Sequence, residues 1–237
     1  YAPLFVLLEG RGFNRQGLKD LSELDCNRVA VFVGDTEEKS KGSAVGLLAG
    51  RIARLGIEKN VGRVKEGSIN AERFFLSGKP LETQSGAVAD LYSKGYISPR
   101  QHVGRVGYYF TDDRLATALS DDYAQLTARR TIDKAYRIAY DTLLSFLLDD
   151  LEVEADGSLH PAVIRSWEQE VTGAIDRAMT ARGELSADSD SGSGCRFTIA
   201  PGNLLSTSTI TAHLAVRPKG YARYIDVTLG FLVSQKQ

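Results

Sequence analysis

The loop after the second apolar run of the chain is the first place where its residue types could do chemistry. Gly34-Asp35-Thr36-Glu37-Glu38 follows a predicted strand and precedes a predicted helix, which is where phosphate-binding loops occur. The spacing is not that of a Walker loop, and two consecutive glutamates would repel a phosphate group. We therefore interpret the segment as an exposed strand-to-helix loop, and nucleotide binding there is kept only as an alternative.

Two further patterns resemble known sites only superficially. Gly104-Arg105-Val106-Gly107 lacks the third glycine of a dinucleotide-binding fingerprint and lies in a predicted strand, not at the start of a helix. The three histidines, His102, His160 and His213, are isolated, and none has metal-ligand spacing to another His, Cys or carboxylate. We predict structural histidines and no metal site.

Polar residues of the last quarter of the chain also fall short of a site. Asp188 and Asp190 lie in a run of Ser, Asp and Gly over residues 187–194 that lacks the spaced ligands and closing Glu of an EF-hand. Its composition favours a flexible linker. Leu205-Ser206-Thr207-Ser208 has no nucleophile-elbow context. We therefore predict no catalytic, cofactor-binding or metal-binding residue, and we expect that the chain is not an enzyme.

Composition places the chain among ordinary globular proteins and gives no electrostatic case for nucleic acid. The 237 residues are 43% hydrophobic and 25% charged, with 29 basic and 30 acidic side chains and a net charge of -1. Cys26 and Cys195 are the only cysteines, and we expect two unpaired thiols. No run of about 18 apolar residues is present, so no transmembrane span is predicted.

The front of the chain predicts two buried strands joined by a short helix. Residues 4–8 and 28–33 are continuous apolar runs that end at glycines or glycine-rich turns, a pattern typical of central strands. Residues 14–24 between them could form a helix, which would complete a βαβ unit.

Three more elements are predicted before the middle of the chain. Residues 45–55 and 86–94 have apolar residues at helical spacing, and each is followed by a glycine that suits a helix end. Residues 103–110 are predicted as a strand. Residues 60–85 have no clear period and are predicted as loop.

The second half of the chain predicts a pair of helices. The first opens near Asp121 and Asp122, where acidic residues favour a helix N-terminus. Its apolar stripe consists of Ile132, Ala135, Tyr136, Ala139, Leu143, Phe146 and Leu147. Its opposite face carries the charged residues Arg129, Arg130, Asp133, Lys134 and Arg137. After a turn at Asp156-Gly157, the second helix starts at Pro161, and its stripe is Ile164, Trp167, Val171, Ile175 and Met179.

The chain then predicts antiparallel strands and a linking strand between subunits. Residues 196–200 and 209–216 are strands, and Pro218-Lys219-Gly220 is a turn before a return strand. A terminal strand has free backbone donors and acceptors, so it can pair with a neighbouring chain as readily as with its own sheet. The residues predicted to carry this contact are Ile225, Val227, Leu229 and Phe231.

Together these elements predict an α/β (α+β) fold. We expect a mixed β-sheet flanked by helices, with a C-terminal antiparallel strand pair. Residues 1–120 would form the N-terminal α/β part, and residues 121–237 the helix pair, the β-hairpin and the arm strand. We expect the two parts to pack together as one core domain.

With these elements placed, the sequence resembles the tail sheath proteins of contractile phage tails and related contractile injection systems. Residues 25–35 look like the family's early strand, residues 44–53 like its following helix, and residues 61–67 like the segment after it. More specific is Ala128-Arg129-Arg130-Thr131-Ile132-Asp133-Lys134-Ala135 in the long helix. Asp156-Gly157 and then Asn203-Leu204-Leu205-Ser206-Thr207 follow in the family's order.

The resemblance implies a structural subunit that polymerises around an inner tube and contracts to drive it through a target envelope. It implies as partners other copies of the chain, the inner tail tube protein, and baseplate and tail terminator proteins, with no nucleic acid and no cofactor. It also implies a location in a virion tail or injection-system sheath that assembles in the bacterial cytoplasm. Strands added by terminal arms would link neighbouring subunits.

Two alternatives stay open, and one feature departs from the family. An α/β enzyme or nucleotide-binding domain would use the loop after residue 33, and a non-contractile tail or baseplate component would share the fold. The family has an arm ahead of its first core strand, whereas here that strand begins almost at once. We expect the arm either to lie upstream or to be absent in this version.

Overall fold

The computed structural model describes residues 3–11, 14–40 and 42–228. They confirm the predicted α+β class, although the strands are distributed over four sheets of two strands each within the described residues. In chain order the elements are β1 (Val6–Glu9), β2 (Val29–Phe32), α1 (Val45–Arg54), β3 (Phe75–Leu76), β4 (Lys79–Pro80), α2 (Ser85–Ser93), β5 (Pro99–Arg100), β6 (Tyr109–Phe110), α3 (Leu126–Leu144), α4 (Pro161–Ile175), β7 (Cys195–Ile199), α5 (Leu204–Thr207) and β8 (Ala212–Val216). Among these helices, none is long and apolar enough to cross a membrane.

The two predicted front strands form and run parallel, with Val6 opposite Val29 and Glu9 opposite Phe32. The predicted helix between them is wrong. Two separate 3-10 turns take its place, at Arg15–Gly17 and Leu21–Glu23.

Polar side chains explain why two short turns, and not one helix, form in the segment between β1 and β2. Asn14 Oδ1 accepts a hydrogen bond from the Gln16 backbone N–H at 3.1 Å, and Asp20 Oδ1 accepts one from the Ser22 N–H at 2.9 Å. Each bond starts a new short turn, so the chain does not continue as one α-helix.

The region between α1 and α2 contains a hairpin that the sequence did not predict. Strands β3 and β4 pair across Ser77 and Gly78, whose φ angles are +50° and +74°. Two positive φ values are those of a type I′ turn, the turn that suits a two-residue hairpin. Each strand has only two residues, which is too short for any period to show in the sequence.

The predicted strand over residues 103–110 is wrong in its first part. Only β6 is extended and paired, whereas Gly104 and Gly107 have φ angles of +73° and +90°. These glycines turn the backbone away from the extended conformation. As a result, residues 101–106 form a projecting loop between β5 and β6.

The helix pair forms as predicted, with a shift at its start. Helix α3 begins at Leu126, and Asp121 instead accepts the backbone N–H of Tyr123 at 2.7 Å in a preceding turn. Helix α4 opens with Pro161 and packs on α3. Just beyond the end of α3, the ring of Phe146 stacks on that of Trp167 in α4, with centroids 4.4 Å apart. The predicted stripe of α4 is buried at Trp167, Val171, Ile175 and Met179.

Apolar side chains collect in two clusters. The first surrounds Phe32 and Phe110, whose rings meet edge to face at 5.6 Å, and it extends to Leu126 at the start of α3. The second lies between α3, α4 and β7 and includes Ala135 and Phe197. Helix α3 therefore contributes its first turn to one cluster and its middle to the other.

Candidate functional site

The hydrogen-bonding pattern of the C-terminal sheet determines which backbone N–H and C=O groups of β8 face away from β7. β7 and β8 are antiparallel, with Phe197 opposite Leu214. The Ala200 N–H donates to the Thr211 carbonyl at 2.8 Å, and the Arg217 N–H donates to the Gly194 carbonyl at 2.8 Å. Because hydrogen-bonded pairs alternate along an antiparallel ladder, the backbone groups of residues 212, 214 and 216 point away from β7.

The two edges of this sheet differ. On the β7 edge, Glu168 Oε1 accepts the Ile199 N–H at 2.9 Å, and Ser193 Oγ accepts the Cys195 N–H at 3.2 Å. On the β8 edge, the outward N–H and C=O groups of residues 212, 214 and 216 have no hydrogen-bond partner within the described part of the chain. Among the described residues, the β8 edge is therefore left open to an added strand, and the β7 edge is capped by side chains.

The segment after β8 folds back onto the N-terminal part of the chain. The Tyr221 hydroxyl donates to the Glu58 carbonyl at 2.5 Å, and Arg223 Nε donates to Asp112 Oδ2 at 2.9 Å. Both contacts join residues that are far apart in sequence. They attach the tail to the N-terminal part of the chain at residues 221 and 223.

The predicted return strand is wrong over its described residues. No strand forms between residues 217 and 228, because Tyr221 and Arg223 direct this stretch across the N-terminal part instead of back along β8. Ile225 and Val227 are 80% and 72% exposed. The other two predicted residues, Leu229 and Phe231, lie outside the described residues.

A buried acidic cluster receives the tail. Asn60 Nδ2 donates to Asp112 Oδ1 at 2.5 Å and to Asp113 Oδ1 at 2.8 Å, and Asp113 Oδ2 accepts the Thr127 N–H at 2.9 Å. Burial would raise the pKa of Asp112, but the hydrogen bonds from Arg223 and Asn60 outweigh it and hold that pKa below its usual value. Burial and the neighbouring Asp112 charge raise the pKa of Asp113 to about 7. The cluster thus joins the residue 60 loop, the start of α3 and the tail.

The charged residues predicted on one face of α3 are half-buried, except Arg137, which is exposed. Arg130 Nη2 donates to the Leu55 carbonyl at 3.0 Å and to the Ile52 carbonyl at 3.2 Å, where α1 ends. Asp133 accepts two bonds from Arg28, each of 2.9 Å. Lys134, the next residue, pairs with Glu184. We call Arg130, Asp133 and Lys134 the α3 seam, since they join this helix to other elements.

Two of the remaining candidate positions, the loop after β2 and His160, have hydrogen bonds that stabilise the local fold. The loop after β2 is braced by Ser43, whose hydroxyl donates to the Phe32 and Gly34 carbonyls at 3.0 Å each. His160 Nδ1 accepts the Ala162 N–H at 3.2 Å and caps α4. His213 lies on the exposed face of β8.

Four further candidate residues lie elsewhere in the fold, namely His102, Cys26, Cys195 and Asp188. His102 lies 3.2 Å from Arg100, and burial together with nearby arginines lowers its pKa. Cys26 and Cys195 are both free thiols, and Cys26 is exposed. Arg217 pairs with Asp188 at 2.8 Å, which holds the pKa of that carboxyl at about 2, so the predicted linker is anchored at Asp188.

Two solved structures with a similar fold come from contractile injection systems. A chain in the cryo-EM structure of the anti-feeding prophage (AFP) baseplate superposes with a TM-score of 0.61 at 15% identity, covering 87% of this chain and 55% of that one. A chain of the sheath complex of an extracellular contractile injection system (PVC), in its contracted state, gives a TM-score of 0.58 at 14% identity, covering 86% and 56%. The chain therefore spans just over half the length of these two proteins.

Sequence comparison gives the family. The N-terminal domain of DUF2586 matches residues 1–114, and the C-terminal domain of DUF2586 matches residues 122–236. The chain belongs to the DUF2586 family. No curated protein sequence matches it.

Proposed function

We propose that this chain is the structural subunit of a contractile tail sheath and that neighbouring copies are linked by strand addition at the β8 edge. The observation that carries the proposal is the difference between the two edges of the C-terminal sheet. One edge is closed by Glu168 and Ser193, and the other presents backbone groups without a partner in the described part of the chain. A strand pairing there would gain about 1 kcal/mol for each backbone hydrogen bond.

Strand addition also requires a strand that one copy supplies, and the segment after β8 has suitable residues for it. It is attached at Tyr221 and Arg223, and the side chains of Ile225 and Val227 beyond these contacts are exposed and lie outside any strand. Alternate apolar residues present one face when the backbone is extended. We propose that Ile225, Val227, Leu229 and Phe231 form the strand that one copy adds to a neighbour.

In this proposal the chain has a mechanical and not an enzymatic role. Its partners are other copies of itself, an inner tail tube, a baseplate and a tail terminator, and it assembles in the bacterial cytoplasm. Backbone pairing would hold the link while the surfaces between domain bodies repack during contraction. The two parts of the chain would move as one core, supported by the α3 seam and by the Arg223–Asp112 pair.

Electron microscopy of the full-length protein, alone and with the candidate tube protein, tests the proposal. We expect hollow, striated tubes of uniform diameter. Ala212→Pro, which removes one outward donor of β8, should abolish them, as should Leu229→Arg combined with Phe231→Asp. His213→Ala changes only the exposed face of the same strand and should leave the tubes intact. Normal tubes from the edge and tail variants would overturn strand addition.

A baseplate component is the second candidate, because one of the similar chains belongs to a baseplate structure. The same experiment separates the two roles. A sheath subunit forms tubes whose length follows the tube protein, whereas a baseplate component forms closed rings of fixed size. Dispersed particles under every condition, including with tube protein, would overturn both.

A further inference from the structure

The projecting loop between β5 and β6 exposes two valines completely. Val103 and Val106 have the accessibility of free side chains. The loop is nevertheless braced, since the Tyr109 hydroxyl donates to the Val106 carbonyl at 3.3 Å and the His102 ring meets the Tyr109 ring at 5.1 Å. We call residues 100–106 the basic tip, because they include Arg100 and Arg105 and no acidic residue.

A second exposed apolar pair lies just beyond the end of α3. Leu147 and Leu148 are 69% and 97% exposed, and Leu148 has a φ of +65°. A left-handed conformation is unfavourable for leucine, and a fully exposed side chain contributes no burial energy that would offset this cost. Phe146, stacked on Trp167, fixes the base of this segment.

Acidic residues follow these leucines directly. We call residues 147–156 the acidic tip, because they contain five carboxylates and no basic residue. Asp150 and Glu152 have no side-chain hydrogen bond or ion pair among the described residues. A backbone bond of 2.8 Å from the Glu154 N–H to the Ser158 carbonyl shapes the far side of the tip.

The two tips belong to different ends of α3. The basic tip connects through β6 to Asp113, which contacts the first turn of α3 at Thr127. The acidic tip begins just beyond the other end of α3, which has 19 residues and is therefore about 28 Å long. No hydrogen bond or ion pair joins the tips within the described part of the chain. Within the described residues, the two tips are therefore not partners of each other.

We propose that the basic tip of one copy docks on the acidic tip of the next copy, in a contact separate from strand addition at β8. Each tip presents an apolar pair beside charges of one sign, and the signs are opposite. Such complementarity orients two surfaces and excludes contacts between like tips. Two unlike patches that meet head to tail generate rings or helical polymers.

This inference rests on the proposed self-assembly, and charge reversal in the full-length protein tests it. Arg105→Glu and Asp150→Lys should each raise the concentration needed for polymer formation roughly tenfold, since each places like charges at every contact. An equimolar mixture of the two variants should assemble like the natural protein. In that mixture, the glutamate introduced in one variant meets the lysine introduced in the other, and the retained Arg105 meets the retained Asp150. Every contact between alternating copies is then complementary again.

Matched reversals elsewhere serve as controls. Arg137→Glu and Glu170→Lys change exposed charges outside both tips and should leave assembly unchanged. Sedimentation and electron microscopy measure the polymer, and thermal melting confirms that each variant is folded. Val103→Ser with Val106→Ser should weaken assembly without any change of charge.

The outcomes separate the two proposals. If the natural protein forms tubes and the tip reversals also do, or if the mixture stays dispersed while each variant is folded, the contact between tips is wrong and the sheath function stands. If the natural protein forms no polymer with or without tube protein, both proposals fail.

Discussion

The α3 seam and the two tips are both rich in charge, but they use it differently. In the seam, the side chain of Asp133 is only 13% exposed and paired with Arg28, and Arg130 reaches carbonyl groups at the end of α1. In the tips, Arg105 and Asp150 are exposed beside apolar side chains that no described residue covers. Covered, paired charges therefore hold the two parts of this chain together, whereas exposed charges beside uncovered leucines and valines are available to another molecule.

Among the expected changes in the free energy of unfolding, the largest should follow the removal of a seam residue. Arg130→Met should lower the free energy of unfolding by about 2 kcal/mol, because the carbonyls of Ile52 and Leu55 lose a charged donor where α1 ends. Arg137→Met, at an exposed position further along the same helix, should change it by less than about 0.5 kcal/mol. Denaturant titration of both variants checks this. Equal stability for the two would mean that Arg130 is not part of a stabilising seam.

The helices on either side of the seam could be predicted from sequence, and the seam could not. The stripe of Trp167, Val171 and Ile175 has the helical period, so α4 and its buried face follow directly from the sequence. The partners of Arg130 and Asp133 lie between 75 and 105 positions away, and no local pattern shows them. A charged helix face is usually solvated, so the pattern alone gives no sign that these residues are paired with other elements.

The same limit applies to the candidate site. The strands β7 and β8 follow from alternation, but which edge stays open depends on Glu168, a residue of α4 that reaches the Ile199 N–H. The path of the tail depends on Arg223 and Asp112, which are 111 positions apart. The basic tip was not predicted for a different reason. Residues 103–110 were predicted as one strand, whereas the positive φ angles of Gly104 and Gly107 turn the backbone before β6.

A pH titration probes the buried acidic cluster that receives the tail. The folded pKa of Asp113, about 7, lies above the usual value for an aspartate, so its contribution to stability is complete only below that usual value and continues to be lost as pH rises through 7. Asp112 has a lowered pKa, so its contribution is lost only as pH falls below the usual range of aspartate. We expect the free energy of unfolding to fall by about 1 kcal/mol from about pH 6 to about pH 8.

The control for this titration is a neutral residue of the same shape. Asp113→Asn should remove the fall across this pH range, because no proton is then lost at this position. Denaturant unfolding at the two pH values measures the difference for both proteins. A fall of equal size in the variant would assign the pH dependence to another group and leave Asp113 out of it.

The smallest expected effect on stability is that of Leu148→Gly, and its sign distinguishes a tip residue from a seam residue. Leu148→Gly should raise the free energy of unfolding by about 0.5 kcal/mol, because glycine adopts a φ of +65° without strain and the leucine side chain is almost fully exposed in the isolated chain. The same variant should assemble more weakly, since it removes the most exposed apolar side chain of the acidic tip. Leu147→Gly is the matched control, because that residue does not have a positive φ and should gain no stability. A substitution that stabilises the monomer and weakens the polymer is the behaviour of a residue kept for contact with another molecule, whereas loss of stability in Leu148→Gly would show that the leucine serves the fold.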